Sequence, residues 1–153
     1  MRSLIVLCGF LTVFISATPT PGLLSGIISN PLSRWQATAV RGRLTCNGKA
    51  AGNVKLKLYD VDTVPDIDDL MKEGFSNADG SFELVGKEKE WTTIDPKLNI
   101  YHRCNYDGRC FQKVEIVIPK DFVVDGELST KYFDIGEINL ASGFSGDSTD
   151  CFN

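Results

Sequence analysis

Apolar and polar residues alternate along most of the chain from Trp35 onward. A period of two places successive side chains on opposite faces of a strand, so that one face is buried and the other meets water. The alternation covers residues 40–46, 54–58, 81–84, 97–103, 113–118 and 133–140. Turn signals such as Asn47-Gly48 separate these runs. The pattern predicts an all-β, two-sheet sandwich of seven or eight mostly antiparallel strands.

Two further segments carry predictions of their own. The apolar phase changes between Ile135 and Ile138, and Gly136 lies at the break, which predicts a β-bulge there. Residues 66–73 are acidic at their start, as a helix N-terminus prefers, and are the best candidate for one short helix. The same stretch can instead lead into a strand over 71–76.

The N-terminus has the pattern of a secretory signal peptide over residues 1–17. A basic start precedes an apolar run at 4–15, and small residues end the segment at Ala17. The run is shorter than the roughly 20 residues that cross a membrane, and no later run is longer, so we expect no transmembrane span. We therefore expect a secreted, extracellular protein with a flexible lead-in at 18–34 and one domain at 35–153.

Composition argues against two classes of function. The chain has 16 basic and 20 acidic side chains, and this acidic balance argues against nucleic-acid binding. His102 is the only histidine, so no second histidine is present to build a catalytic or metal site with it. We expect His102 to be a strand residue in or near the core, and we expect a protein that is not an enzyme and needs no cofactor.

Four cysteines remain after the predicted signal peptide removes Cys8, namely Cys46, Cys104, Cys110 and Cys151. An even number in an oxidising compartment predicts two disulfides. A zinc site is disfavoured because the chain has no Cys-x-x-Cys pair. Cys104 and Cys110 flank a short link between neighbouring predicted strands, so we expect them to bond, and Cys46 to bond Cys151. Sequence alone permits three pairings.

An acidic run offers weak candidates for a calcium site. Its members are Asp60, Asp62, Asp66, Asp68 and Asp69. An EF-hand loop that began at the first of them would place Pro65 where glycine is required and Met71 where a bidentate glutamate belongs. That specific motif fails, which leaves a looser calcium site or a solvated acidic loop.

Basic residues alternate on two predicted strands, with Arg41 and Arg43 on one and Lys55 and Lys57 on the other. If both outer faces belong to one sheet, the four side chains form a basic patch on an acidic protein. Such a patch can meet an anionic phospholipid headgroup. The alternative is two ordinary solvated strand faces.

Several segments together resemble the nematode transthyretin-like family. They are 40–49 (VRGRLTCNGK), 54–60 (VKLKLYD), 66–70 (DIDDL), 92–104 (TTIDPKLNIYHRC) and 133–136 (FDIG). The resemblance runs from about Ala39 to Cys151 with the order preserved. It implies a secreted protein with a transthyretin-like, immunoglobulin-like sandwich. It also implies extracellular binding, since one family member is described as bridging phosphatidylserine on dying cells to an engulfment receptor.

The resemblance also frames the alternatives. Hydroxyisourate hydrolases share the transthyretin fold, but they use several histidines, an arginine and a C-terminal Tyr-Arg-Gly-Ser, whereas this chain has one histidine and ends in Asp150-Cys151-Phe152-Asn153. We expect a non-catalytic binding or bridging protein, a monomer, that recognises a cell-surface receptor protein, a phospholipid surface, or both. The main alternative is a carrier of a small hydrophobic ligand, which rests on fold analogy alone.

Overall fold

The computed structural model describes residues 33–61, 68–144 and 147–153. Ten strands and one 3₁₀ turn lie within these ranges. They are β1 (Arg34–Cys46), β2 (Lys49–Ala50), β3 (Lys55–Asp60), β4 (Asp69–Phe75), β5 (Ser81–Glu90), β6 (Pro96–His102), β7 (Phe111–Val117), the 3₁₀ turn (Lys120–Phe122), β8 (Val123–Asp125), β9 (Tyr132–Asn139) and β10 (Ser148–Asp150). Seven of the strands have six residues or more, and each of these except β4 overlaps one of the six alternating runs.

The first sheet, sheet A, is built around the long strand β1. Strands β5, β2 and β8 pair with β1 in the antiparallel sense, whereas β9 pairs with it in parallel. Strand β1 has 13 residues and can hold four partners because its two short partners each occupy only a few positions. Strand β8 pairs with residues 36–38 and β2 pairs with residues 45–46. The predicted two-sheet, mostly antiparallel sandwich is confirmed.

The second sheet, sheet B, has the strand order β10-β7-β6-β3-β4, and every neighbouring pair is antiparallel. The chain crosses from sheet A to sheet B directly after the two-residue strand β2. Ser76 holds this crossing, because its hydroxyl donates to the carbonyl of Ala51 at 2.7 Å and accepts the amide of Val54 at 2.9 Å. Strands β1 and β3 therefore belong to different sheets although they are close in sequence.

The core lies between the two sheets and uses the apolar phase of each alternating run. Leu56 and Leu58 of β3 and Leu98 and Ile100 of β6 have no solvent-exposed surface, and Val40 of β1 meets them from the other sheet. Truncation of a buried leucine or isoleucine to alanine costs about 2–5 kcal/mol. The alternation is therefore the main determinant of the fold.

The predicted bulge at Gly136 is confirmed. Arg41 pairs with Asp134 and Arg43 pairs with Glu137, so β9 has one residue more than β1 between these pairs. Gly136 has a φ of 67°, a left-handed conformation that glycine adopts without steric cost.

The short helix proposed for 66–73 is wrong over its described part, since Asp69–Phe75 is strand β4. The alternative prediction, a strand over 71–76, is correct in type, although the observed strand begins at Asp69 and ends at Phe75. The sequence leaves helix and strand open here because β4 is an edge strand whose exposure does not alternate. Arg34, assigned to the lead-in, is the first residue of β1.

Both pairs of the predicted cysteine connectivity are wrong, although all four cysteines are bonded. Cys46 bonds Cys104 and Cys110 bonds Cys151. Cys46 and Cys104 continue the core-facing phases of β1 and β6, so they meet between the sheets. Cys110 precedes β7 and Cys151 follows β10, and the antiparallel register of these strands places the two residues opposite each other.

The predicted signal peptide at 1–17 and most of the lead-in at 18–34 lie outside the described residues. Within the described ranges, no helix has the length and apolar character needed to cross a bilayer.

Candidate functional site

The four basic residues predicted to form one patch lie on two different sheets. Arg41 and Arg43 are on the outer face of sheet A, and Lys55 and Lys57 are on the outer face of sheet B. The prediction of a joint patch is wrong because it required β1 and β3 to share a sheet, and the crossing after β2 separates them.

The two arginines are paired one to one with carboxylates. Arg41 Nε lies 2.9 Å from Asp134 Oδ2, and an Arg43 guanidinium nitrogen lies 2.9 Å from Glu137 Oε2. The bulge at Gly136 makes both contacts available, because it places the two acidic residues opposite the two arginines. The pKa of Asp134 is lowered by the amide of Gly136, which donates to its carboxylate, and further by Arg41. These arginines line a shallow groove of about 420 Å³ in which their charge is already balanced.

The outer face of sheet B carries a lysine cluster instead. Four lysines point outward from its three central strands, and their side chains are only 12–23% exposed. Two tyrosines and an asparagine fill the space between them, and Asn99 lies directly across from Lys57 in the β3–β6 ladder. We call this set the lysine face. It consists of Lys55, Lys57, Tyr59, Lys97, Asn99, Tyr101 and Lys113.

Carboxylate pairing on the lysine face is uneven. Lys113 Nζ lies 2.6 Å from Glu115 Oε1, and Lys97 Nζ lies 3.1 Å from Asp68 Oδ2. Lys55 and Lys57 share one carboxylate, Glu73, and each ammonium nitrogen is 3.8 Å from the same oxygen. That distance is too long for a hydrogen bond. The two lysines predicted from the sequence are therefore the least compensated cations of this face.

Tyr101 and Asn99 form the base of the lysine face. The amide nitrogen of Asn99 donates to the Tyr101 hydroxyl at 3.3 Å, and Lys57 Nζ lies 5.6 Å from the centre of the Tyr101 ring. Burial raises the pKa of Tyr101 to about 12, so the phenol is neutral at physiological pH. The Asn99 side-chain oxygen is buried without a hydrogen-bond partner in the structure. The cluster is thus a polar site on the sheet surface rather than a row of freely solvated side chains.

Exposed apolar side chains border the lysine face. Leu70 and Phe75 of β4 are 49% and 52% exposed, and Val117 of β7 is 75% exposed. The register places Phe75 beside Lys55 and Val117 beside Lys97, so these groups point the same way as the lysines. The sequence pattern missed Lys97, Lys113 and this apolar border. The alternation at 97–103 and 113–118 predicts that Lys97 and Lys113 face outward, but it does not predict which strands are neighbours in the sheet.

Of the acidic residues considered for calcium, Asp60, Asp68 and Asp69 are described, and Asp60 and Asp69 lie opposite each other in the β3–β4 ladder. Asp60 is buried and accepts the amide of Asp95 at 2.6 Å, and Asp68 pairs with Lys97. Asp62 and Asp66 lie outside the described residues. Among residues 33–61, 68–144 and 147–153, no group of three or more carboxylate, histidine or cysteine side chains is arranged to hold a metal ion.

His102 is buried at the end of β6, on the core-facing side. Its Nδ1 accepts the amide of Cys104 at 3.3 Å, and its Nε2 is buried without a hydrogen-bond partner in the structure. Burial lowers the pKa of His102, and the negative charge of Asp147 opposes this shift. The imidazole is therefore held in its neutral form, as expected for a core histidine.

Comparisons with known proteins agree with the resemblance found in the sequence. A family model described as "TTR-52: Transthyretin-like family" matches residues 41–119. Transthyretin-like protein 5 of Caenorhabditis elegans is 48% identical over 124 residues, which are 80% of this chain and 88% of that protein. Transthyretin-like protein 33 of the same organism is 48% identical over 77% of this chain and 83% of its own length.

Among solved structures, a 9R-lipoxygenase from Cyanothece aligns with 69% of this chain and 16% of its own, at 18% identity and a TM-score of 0.41. That similarity is too weak to support an argument about fold or function. The family model covers about half of the chain, and the two nematode proteins align over most of their length. The chain therefore belongs to the transthyretin-like family.

Proposed function

We propose that this chain is a secreted, non-catalytic binding protein that recognises anionic phospholipid headgroups through its lysine face. The observation that carries the proposal is the pair Lys55 and Lys57. Both lysine side chains are mostly buried, and their two ammonium nitrogens share a single carboxylate at 3.8 Å. A cation that is partly removed from water gains most from a close anionic partner. A phosphate or carboxylate of a headgroup can approach both nitrogens from the solvent side.

The surroundings of the lysines support a membrane surface as the source of the anion. Leu70, Phe75 and Val117 are exposed on the same side as the lysines and can enter the region between headgroups and acyl chains. A positively charged side chain near an anionic leaflet contributes about 1 kcal/mol. Two lysines thus contribute about 2 kcal/mol, or roughly 30-fold in affinity.

Two disulfides are consistent with an extracellular location, because such bonds persist mainly in oxidising compartments. The signal-peptide pattern of residues 1–17 points the same way. A secreted protein with one headgroup-binding face has other surfaces left for a cell-surface protein, as a bridging role requires.

The proposal is tested by co-sedimentation of the purified protein with vesicles at low and physiological salt. Wild-type protein should pellet with phosphatidylserine-containing vesicles and stay in solution with pure phosphatidylcholine. The double variant Lys55→Gln/Lys57→Gln should bind the anionic vesicles about 30-fold more weakly.

The matched control is Arg41→Gln/Arg43→Gln, which removes the same charge from the outer face of sheet A and should bind like wild type. An equal loss in both variants would mean that net charge alone governs the interaction, and the lysine face would lose its role. Binding to protease-sensitive sites on cells, with no binding to either vesicle, would identify a protein ligand and reject the phospholipid proposal.

A further inference from the structure

A cleft of about 450 Å³ lies at the open side of the sandwich, away from the lysine face. Strand β4, at the edge of sheet B, passes β5 of sheet A here without hydrogen bonding to it. The side chains that line the cleft are Met71, Lys72, Val85, Lys87, Glu127 and Leu128. Its volume lies within the usual 300–1,000 Å³ range of small-molecule sites.

The base of the cleft depends on close approach of the two strands. Gly86 of β5 lies there, and a Cβ atom at this position would be 2.8 Å from both Leu58 Cδ2 and Met71 Cβ. Only glycine fits at that distance, so Met71 packs directly over the strand. Met71 and Val85 are partly buried, whereas Leu128 is 81% exposed. The cleft therefore has an apolar wall that is only partly covered.

The two cations of the cleft differ in their pairing. Lys87 forms an ion pair with Glu127, and its Nζ lies 4.7 Å from the ring centre of Trp35. Lys72 has no ion-pair partner within the described residues. The register shift after Leu58 places Lys72 opposite this core-facing residue, so it reaches the cleft rather than the lysine face. Among residues 33–61, 68–144 and 147–153, no carboxylate thus pairs with Lys72, and its positive charge adjoins the apolar wall.

We propose that this cleft binds a small anionic amphiphile, with a carboxylate on Lys72 and an aliphatic chain along Met71, Val85 and Leu128. The charge of Lys72 matches the head of such a ligand, and burial of Leu128 supplies hydrophobic free energy. The site is independent of the lysine face and of the phospholipid proposal. It gives the protein a second ligand class.

The test is isothermal titration calorimetry with decanoate below its critical micelle concentration. Decanol is the uncharged probe of equal chain length. Decanoate should bind wild type with 1:1 stoichiometry and more tightly than decanol. Lys72→Gln should weaken decanoate binding about tenfold and remove the preference over decanol, whereas Lys72→Arg should retain both.

The matched control is Lys89→Gln, because Lys89 is an exposed lysine of β5 outside the cleft. It should bind decanoate like wild type. Leu128→Ala should weaken both ligands and keep the preference for decanoate. Absence of saturable binding to wild type, or equal effects of Lys72→Gln and Lys89→Gln, would overturn the proposal.

Discussion

At the scale of single residues, the fold decides which charges are available. Arg41 and Lys57 look alike in the sequence, since each alternates with apolar residues on a strand. In the structure Arg41 has its own carboxylate at 2.9 Å, whereas Lys57 shares one at 3.8 Å. Local periodicity predicts which side chains face outward. It does not predict their acidic partners, which come from strands distant in sequence.

His102 gives a prediction about pH dependence. Its pKa is lowered in the folded state, mainly by burial, so the unfolded chain takes up the proton first as the pH falls. The free energy of unfolding should be independent of this group well above pH 6.5 and should decrease as the pH drops through and below that value.

The measurement for His102 is urea unfolding at pH 7.5 and pH 5.5. Wild type should lose more stability between these pH values than His102→Gln, which keeps a polar side chain that does not titrate. Equal losses in the two proteins would show that other groups cause the pH dependence. A smaller loss in wild type would reverse the predicted sign.

At the scale of elements, the alternation predicted six of the seven long strands, and the Gly136 bulge was predicted as well. Strand β4 was left open between helix and strand, and the predicted cysteine pairing was wrong. The reason lies in the loop between β6 and β7. Extension of their ladder would place Cys104 opposite Cys110, but the ladder ends at the pair of His102 and Gln112. The alternation contained evidence for the observed pair, because Cys46 at the end of β1 and Cys104 just after β6 both fall on core-facing positions. Only the three-dimensional arrangement shows that these two positions meet.

The disulfides give a prediction about where stability is lost. The pairs are separated by 58 and 41 residues in sequence, and the chain-entropy model assigns about 4 kcal/mol to each as an upper figure. Cys110→Ser/Cys151→Ser should release β10 and expose the amides of β7, which β10 covers with three residues. Cys46→Ser/Cys104→Ser should instead weaken the contact between the sheets and lower protection throughout the core.

Hydrogen exchange with mass spectrometry distinguishes the two variants, and peptide mapping of the unreduced protein checks the pairing itself. We expect amide protection to fall only at β7 in Cys110→Ser/Cys151→Ser. In Cys46→Ser/Cys104→Ser we expect it to fall throughout the core. A peptide that joins Cys104 to Cys110 in the native protein would contradict the observed connectivity and this prediction with it.

At the scale of the whole molecule, the two outer faces of the sandwich have different chemistry. In sheet A, Arg41 and Arg43 are each paired with a carboxylate of β9, whereas in sheet B Lys55 and Lys57 share one carboxylate at 3.8 Å. Fold class was predictable because alternation and turns are local. The candidate site was only half predictable, because Lys97 and Lys113 join Lys55 and Lys57 through sheet order, which no local pattern contains.

The most direct test of the lysine face is a nuclear magnetic resonance titration of ¹⁵N-labelled protein with a soluble short-chain phosphatidylserine. Lys55, Lys57 and Asn99 should show the largest, saturable amide shifts, and short-chain phosphatidylcholine should produce none. Arg41 and Arg43 should be unaffected by either lipid. Shifts centred on the arginines, or equal shifts with both lipids, would contradict headgroup recognition by sheet B.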